Sequence, residues 1–198
     1  TRDVTFPMPA DVVAFVRENL AELQAEAGFG PAAVLGVGVS MPDDLGRIAL
    51  PGQPAGYAAW SDVDLPALLA AVLPWDIHVD NDAAAAALGE AQNGTAFETP
   101  TFFYLLIAAG LGGGPVIDRT YHRGAHARSG ELGLMPDPTA GRPGALVQDT
   151  VSLSALNQRL AEAGFPDLPR SEMIGTDPAI ATVVDQWIAD AARSLTAP

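Results

Sequence analysis

The sequence contains no cysteine and no lysine, and each absence closes off a chemistry. Without cysteine there is no disulfide framework and no thiolate-bound zinc. Without lysine, a glycine-rich loop here cannot be a P-loop, which needs an ammonium on the phosphates. Positive charge is scarce as well. Ten arginines stand against 24 acidic residues, for a formal charge of −14, and at a pI near 4.3 the chain's field repels phosphate backbones and anionic lipid. The longest apolar stretch, Phe102 to Leu111, has about half the residues of a bilayer-spanning helix, and nothing near Thr1 reads as a signal peptide. We therefore expect a cytoplasmic protein with no membrane contact, and any reading of DNA must come from another segment. The exclusive use of arginine and the abundance of alanine fit a GC-rich coding bias and carry no functional weight.

What is present is length and apolar content: 198 residues, 48% of them hydrophobic. Such a chain can bury roughly 70% of its unfolded surface in one or two cores. Because it opens at Thr1 without a methionine and closes on the polar Ser194 to Pro198, it reads as a piece of something longer.

Apolar residues recur at helical spacing from Pro9 to Ala27 through Val12, Val16, Leu20 and Leu23, with glycine following. Ala33 to Ser40 is short, apolar and β-branched and predicts a buried strand. A turn-rich loop leads to a helix over Leu65 to Leu73, a strand over Asp76 to Asp80, and a helix from Asp82 to Glu90. This alternation predicts an α/β layer with parallel pairing. The next third changes character. Thr101 to Ala109 predicts a strand, Gly110 to Gly114 a break, and Pro115 to Arg123 a returning strand with a turn near Asp118 and Arg119. After a proline-rich loop, helices are predicted over Val151 to Ala163 and, capped by Asp177, over Pro178 to Ser194.

Three constellations could carry chemistry. Asp80, Asn81 and Asp82 stand where a strand passes into a helix, a junction that aims side chains into the crevice at the carboxyl end of an open sheet. A carboxylate there can take a proton from a hydroxyl while an amide orients it. The same residue types also serve simply as helix caps. Ala109 to Gly114 offers backbone N–H groups to an anion at close range, and equally makes a plain hairpin turn. Arg123, Gly124, Ala125 and His126, followed by Ser129, Gly130, Glu131, Leu132 and Gly133, predict a tight loop that displays one carboxylate to a polyol. His122 and His126, four apart on a strand and loop, share no helical face and have no third ligand in view, so no metal is expected.

Taken together and in this order, these segments resemble the ROK family of repressors, open reading frames and sugar kinases. Val37-Gly38-Val39-Ser40-Met41-Pro42 resembles its strand and proline loop. Trp60 with Asp62 to Leu65 resembles the approach to the next helix. Asp80 to Glu90 resembles the strand-to-helix signature that supplies a catalytic aspartate. Ala109 to Gly114 resembles the phosphate turn, and Arg123 to Gly133 the sugar-contacting loop. The departures are equally specific. The family's Asp-Gly-Gly-Thr phosphate loop and late adenosine segment have no counterpart. Asp43 replaces a glycine, Ala84 a second asparagine, and Ala109 a threonine. Leu134 stands in place of the histidine that binds sugar and zinc, the cysteine cluster is missing, and Gln148 falls where a sugar-binding glutamate is usual.

The resemblance implies an α/β, actin-like (ribonuclease-H-like) ATPase fold of two lobes, here incomplete at both ends. Residues 1–80 would belong to the N-terminal lobe and 81–198 to the C-terminal lobe, with a ligand crevice between them. It implies a sugar-sensing, homodimeric region of a transcriptional regulator, with its DNA-binding winged helix outside this chain. Asn81, Asp82 and Glu131 would bind the effector's hydroxyls, and zinc would be absent. The alternative is a sugar kinase acting on a hexose or N-acetylhexosamine with ATP and magnesium. There Asp82 would be the general base, Asn81 and Glu131 would orient the sugar, and Gly110, Gly112 and Gly113 would approach the nucleotide phosphates. In either case the 198 residues alone are expected to be catalytically inactive.

Overall fold

The computed structural model describes residues 4, 6–28, 30–50, 52–94, 98–126, 128–166, 168, 173 and 177–196. The chain divides into two compact units, Thr1–Ala49 with Gln53–Ala85, and Leu50–Gly52 with Ala86–Pro198.

The first unit opens with helix α1, Pro9–Ala27. Proline in the first turn gives up no helical hydrogen bond, and the Asp11 carboxylate accepts the Met8 N–H at 2.8 Å to close the first turn. Gly28, at φ 68°, supplies the left-handed residue that ends it. Strands β1 (Val37–Met41) and β2 (Ile77–Asn81) pair in parallel, with Ser40 opposite Asp80 and Met41 opposite Asn81. Helix α2, Leu65–Ala70, lies between them in sequence, and the Asp64 side chain caps it. The core is Tyr57, Trp60, Leu65, Leu69 and Leu73, against which Val12, Val16 and Leu20 of α1 pack. Trp60 buries its ring and donates its indole N–H to the Pro7 carbonyl at 2.8 Å, as a buried indole requires.

The expected strand from Ala33 starts later. Pro31–Ala33 form a 3-10 turn, closed by the Val34 N–H on the Pro31 carbonyl, and pairing begins only where Ile77 is available to Val37. Leu35, 97% exposed, is outside the sheet despite its apolar neighbours.

Helix α3, Asp82–Asn93, follows β2 directly. In the second unit, β3 (Phe102–Ile107), β4 (Leu111–Ile117) and β5 (Thr120–Tyr121) form an antiparallel meander in that order. Asp118 and Arg119, both left-handed at φ 50° and 62°, make the two-residue turn between β4 and β5. The glycine run does not break the hairpin as expected. Ile107 pairs with Leu111, so Ala108 to Gly110 form the turn and Gly112, Gly113 and Gly114 lie within β4. Ala87 and Ala91 of α3 pack on Val116, and these small side chains bring helix and sheet close. Helices α4 (Leu153–Glu162) and α5 (Pro178–Thr196) complete the unit. They share a core of Leu156, Leu160 and Ile180 and an Arg159–Asp190 ion pair at 2.6 Å.

Asp137 braces this unit from within. Its Oδ1 accepts the Thr139 N–H and hydroxyl at 2.8 and 2.7 Å, and its Oδ2 accepts the hydroxyls of Thr150 at 2.7 Å and Ser194 at 2.8 Å. Burial alone would raise this carboxyl's pKa. The three hydroxyls and the N–H outweigh it and bring the value down to about 2.

Candidate functional site

The first group of candidates lies at the carboxyl ends of β1 and β2, where parallel sheets present loops to ligands. The Asp80 carboxylate accepts the Asn81 N–H at 2.8 Å. Asn81 accepts the Ala84 N–H on its side-chain oxygen at 2.9 Å, so it caps α3. Its oxygen is thus committed to the helix, and its amide donor is the part a hydroxyl could use. Asp82 occupies the first turn of α3, favourable ground for an anion, and its Oδ1 accepts the Ala83 N–H at 2.8 Å. Burial pushes the Asp82 carboxyl above the ordinary range. The Ala83 and Asp82 N–H groups pull it down, and the charge of Asp43, two residues beyond β1, adds to the rise. A carboxylate whose proton affinity is raised is a better general base. Ala84 is buried and apolar, so it offers this group nothing.

The second group lies in the second unit, around β4. Glu131 sits between two glycines for a steric reason. A methyl group on Gly130 would overlap the Gly113 carbonyl, and one on Gly133 would overlap the Leu111 carbonyl. The segment 130–133 is therefore strapped onto β4 by backbone contact on either side of Glu131. Leu132–Leu134 then form a 3-10 turn. The Glu131 carboxylate is met by Arg128 at 3.4 Å.

The glycines of β4 serve the same packing. A methyl on Gly113 would strike the Tyr104 carbonyl, and one on Gly114 the Tyr121 ring. The Tyr121 hydroxyl donates to the Gly113 carbonyl at 3.2 Å. Two glycines of the expected phosphate cradle thus have an internal reason to be glycine. At the hairpin turn, a methyl on Gly110 would lie 3.3 Å from Gln148 Oε1. Gln148 is buried and its Nε2 has no hydrogen-bond partner.

The donors do not fit zinc. Leu134 cannot ligate, the sequence has no cysteine, and among the described residues no three His, Asp or Glu side chains are grouped to hold a metal ion. No helix among them is long and apolar enough to cross a membrane. Two neighbours of the expected residues had no role assigned from the sequence: Asp43, noted there only as a departure from the family pattern, beside Asp82, and Arg128 beside Glu131. The available signal was their position, one residue past the loop proline and three before the glutamate.

Comparison with known proteins gives the chain a family. A model described as the ROK family matches residues 10–164. The xylose repressor of Caldicellulosiruptor bescii is 31% identical over 103 residues, covering 52% of this chain and 26% of that protein. The N-acetyl-D-glucosamine kinase of Shigella flexneri is 33% identical over 136 residues, covering 67% of this chain and 44% of the kinase. The chain thus spans less than half of the curated relatives it matches. Among solved structures, a ROK family glucokinase from Streptomyces griseus in complex with glucose and AMPPNP superposes with a TM-score of 0.66 at 21% identity, over 98% of this chain and 69% of that one.

Proposed function

The chain belongs to the ROK family and has its α/β, actin-like ATPase fold, and from that premise we propose that it is the sugar-sensing region of a transcriptional regulator. Relatives of both kinds, repressor and sugar kinase, match it. The observation that carries the regulator reading is the site around Glu131. It displays a carboxylate suited to hydroxyls, Leu134 stands where the resemblance puts a metal- and sugar-binding histidine, and Gly113 and Gly114 are held by internal packing. A sensor needs only a different affinity for ligand in two states, whereas a kinase must also hold phosphates in line.

In this reading the Asn81 amide donates to an effector hydroxyl, Asp82 accepts from one, and Glu131 accepts from another. DNA would be read by a winged helix outside these residues, as a cytoplasmic homodimer. Sugars should raise the melting temperature of the protein while ATP with magnesium leaves it unchanged. Stabilisation by ATP, or none by any sugar of a hexose and N-acetylhexosamine panel, would overturn the reading.

The kinase is the second reading, favoured by the raised proton affinity of Asp82. There Asp82 takes the proton of the sugar hydroxyl, Asn81 and Glu131 orient the ring, and Gly110, Gly112 and Gly113 lie toward the phosphates of ATP and magnesium. Conversion of sugar to sugar phosphate by the complete protein, abolished by Asp82→Asn, would establish it.

A further inference from the structure

The carboxylate of Asp137 reaches further than the core it braces, because of what its partners touch. Thr150 is gripped by α5 at two points. Its carbonyl accepts the Trp187 indole N–H at 2.9 Å, and its hydroxyl shares Asp137 Oδ2 with Ser194, about two turns further along the same helix. The Thr150 N–H in turn closes the Val147–Asp149 3-10 turn on the Val147 carbonyl at 3.1 Å. Asp137 itself is tied into a short hairpin, with its N–H on the Ala145 carbonyl at 2.8 Å and Pro136 paired with Leu146.

The far side of the 147–149 turn meets the Glu131 segment. The Val147 N–H donates to the Met135 carbonyl at 2.9 Å. A methyl on Gly133 would lie 3.3 Å from Gln148 Cβ, and Leu132 packs on the core of Leu111, Val147, Val151 and Ala191. Residues 132–134, the 3-10 turn that Glu131 opens, therefore lie between β4 and the 147–149 turn. Pairing with β3 fixes β4. Asp137 fixes the turn.

We infer that Asp137 is a positioning residue for the sugar site: its carboxylate sets the 147–150 turn, the turn sets residues 132–135, and these hold Glu131 where a sugar hydroxyl can reach it. The inference rests on the sugar-binding reading above and adds to it the group that presets the site. Asp137 does not touch the ligand. Each of its oxygens already accepts two hydrogen bonds, which fills a carboxylate, and the side chain is buried. Its influence is on the population of one arrangement. A site binds in proportion to the fraction of molecules already in the competent form. Without the carboxylate, the buried hydroxyls of Thr150 and Ser194 must find other acceptors, and the turn moves with them. With it, the Glu131 segment is ordered before the sugar arrives, and the ligand does not have to order it.

Two variants of the complete protein separate positioning from stability. Thr150→Val/Ser194→Ala removes two hydroxyls from Asp137 and keeps its charge. Asp137→Asn removes the charge and can still bond to all three hydroxyls. Each is titrated by calorimetry with glucose and N-acetylglucosamine, and its amide hydrogen exchange is followed without sugar. In the double variant, exchange at Leu134, Met135 and Val147 should quicken at least about tenfold, the order of one lost bond to a charged group, while α1 exchanges as in the wild type. Its affinity for the sugar the wild type binds should fall at least about tenfold. Asp137→Asn should melt lower yet keep that affinity within about threefold, and Thr150→Ser, which retains the hydroxyl, should do the same. If the double variant fails to fold, Thr150→Val alone should show about a threefold or larger loss that Thr150→Ser does not. Unchanged exchange in the folded variant overturns the inference. So does faster exchange with unchanged affinity, which makes Asp137 a structural brace only, and so does an equal loss of affinity in Asp137→Asn; both leave the sugar reading standing. Binding of neither sugar by the wild type overturns the sugar reading and the inference together.

Discussion

Replacing Asp137 with asparagine removes a charge that three hydroxyls and an N–H were built to meet. The wild-type carboxyl titrates at about 2 against 3.8 for an unperturbed group. A depressed folded-state value means the carboxylate stabilises the fold at any pH above the unfolded value and loses that contribution as pH falls through the folded one. At about 1.4 kcal/mol per pKa unit the stabilisation is about 2 kcal/mol at neutral pH. Because the side chain is only 5% exposed, solvent screening takes little of it. Linkage gives its pH course: about half remains near pH 3 and little near pH 2. Urea unfolding of the wild type and Asp137→Asn should therefore differ by about 1 M in midpoint at pH 7, taking a slope of about 2 kcal/mol/M, and the gap should halve near pH 3. Asparagine can still accept from Thr139 and donate to the hydroxyls of Thr150 and Ser194, so its packing is preserved and the charge is what the comparison isolates. A midpoint difference that persists undiminished at pH 3 would refute the electrostatic account, and no difference at pH 7 would refute the brace itself.

Gly130→Ala should cost about 2–4 kcal/mol, because the backbone of β4 cannot retreat from the overlap. Gly89→Ala, in α3 with open space around it, should raise stability by about 0.5–1 kcal/mol. Thermal melts of the pair check both, and a wild-type melt for Gly130→Ala would remove the strap from the account of Glu131. Asn81→Asp should keep the cap of α3 while Asn81→Ala loses about 1 kcal/mol; if both also weaken sugar binding, the amide has its own role. Burial makes the charged form of Asp82 unfavourable, so Asp82→Asn should raise the melting temperature at pH 7. That gain should disappear once the pH falls below the unfolded carboxyl value, where both forms are neutral; a gain that persists there means the substitution acts through packing.

The helices and the order of strands were legible in the sequence because their signals are local. The periodicity of α1, the proline at its start and Gly28 at its end give its bounds without help from the rest of the chain. The parallel pair was legible from the alternation with helices. The start of β1 was not, since it is set by where Ile77 is available, and a composition reading of Ala33 to Ser40 cannot see the partner strand. The glycines failed in an instructive way. A run of Gly in sequence is consistent with a turn, an anion cradle or a close backbone approach. Only the packing of Tyr104, Tyr121 and Gly130 against Gly113 and Gly114 identifies the third at those two positions.

That result changes what Asp82 can be made to say. An acid in the first turn of α3 is favoured by the helix whatever the protein does, so its presence separates no regulator from a kinase. What separates them is whether Asp82 touches only a ligand or also the reacting atoms. If the site merely senses, Asp82→Asn removes one hydroxyl acceptor and supplies an amide, and sugar affinity of the complete protein should fall by no more than about tenfold, the order of a single hydrogen bond to a charged group. If it catalyses, the same substitution removes the base, and turnover should fall by about 10²–10⁴ while affinity changes little. Measuring both quantities on one variant distinguishes the readings by their ratio. An affinity loss without any wild-type turnover supports the sensor, and a turnover loss far exceeding the affinity loss rejects it.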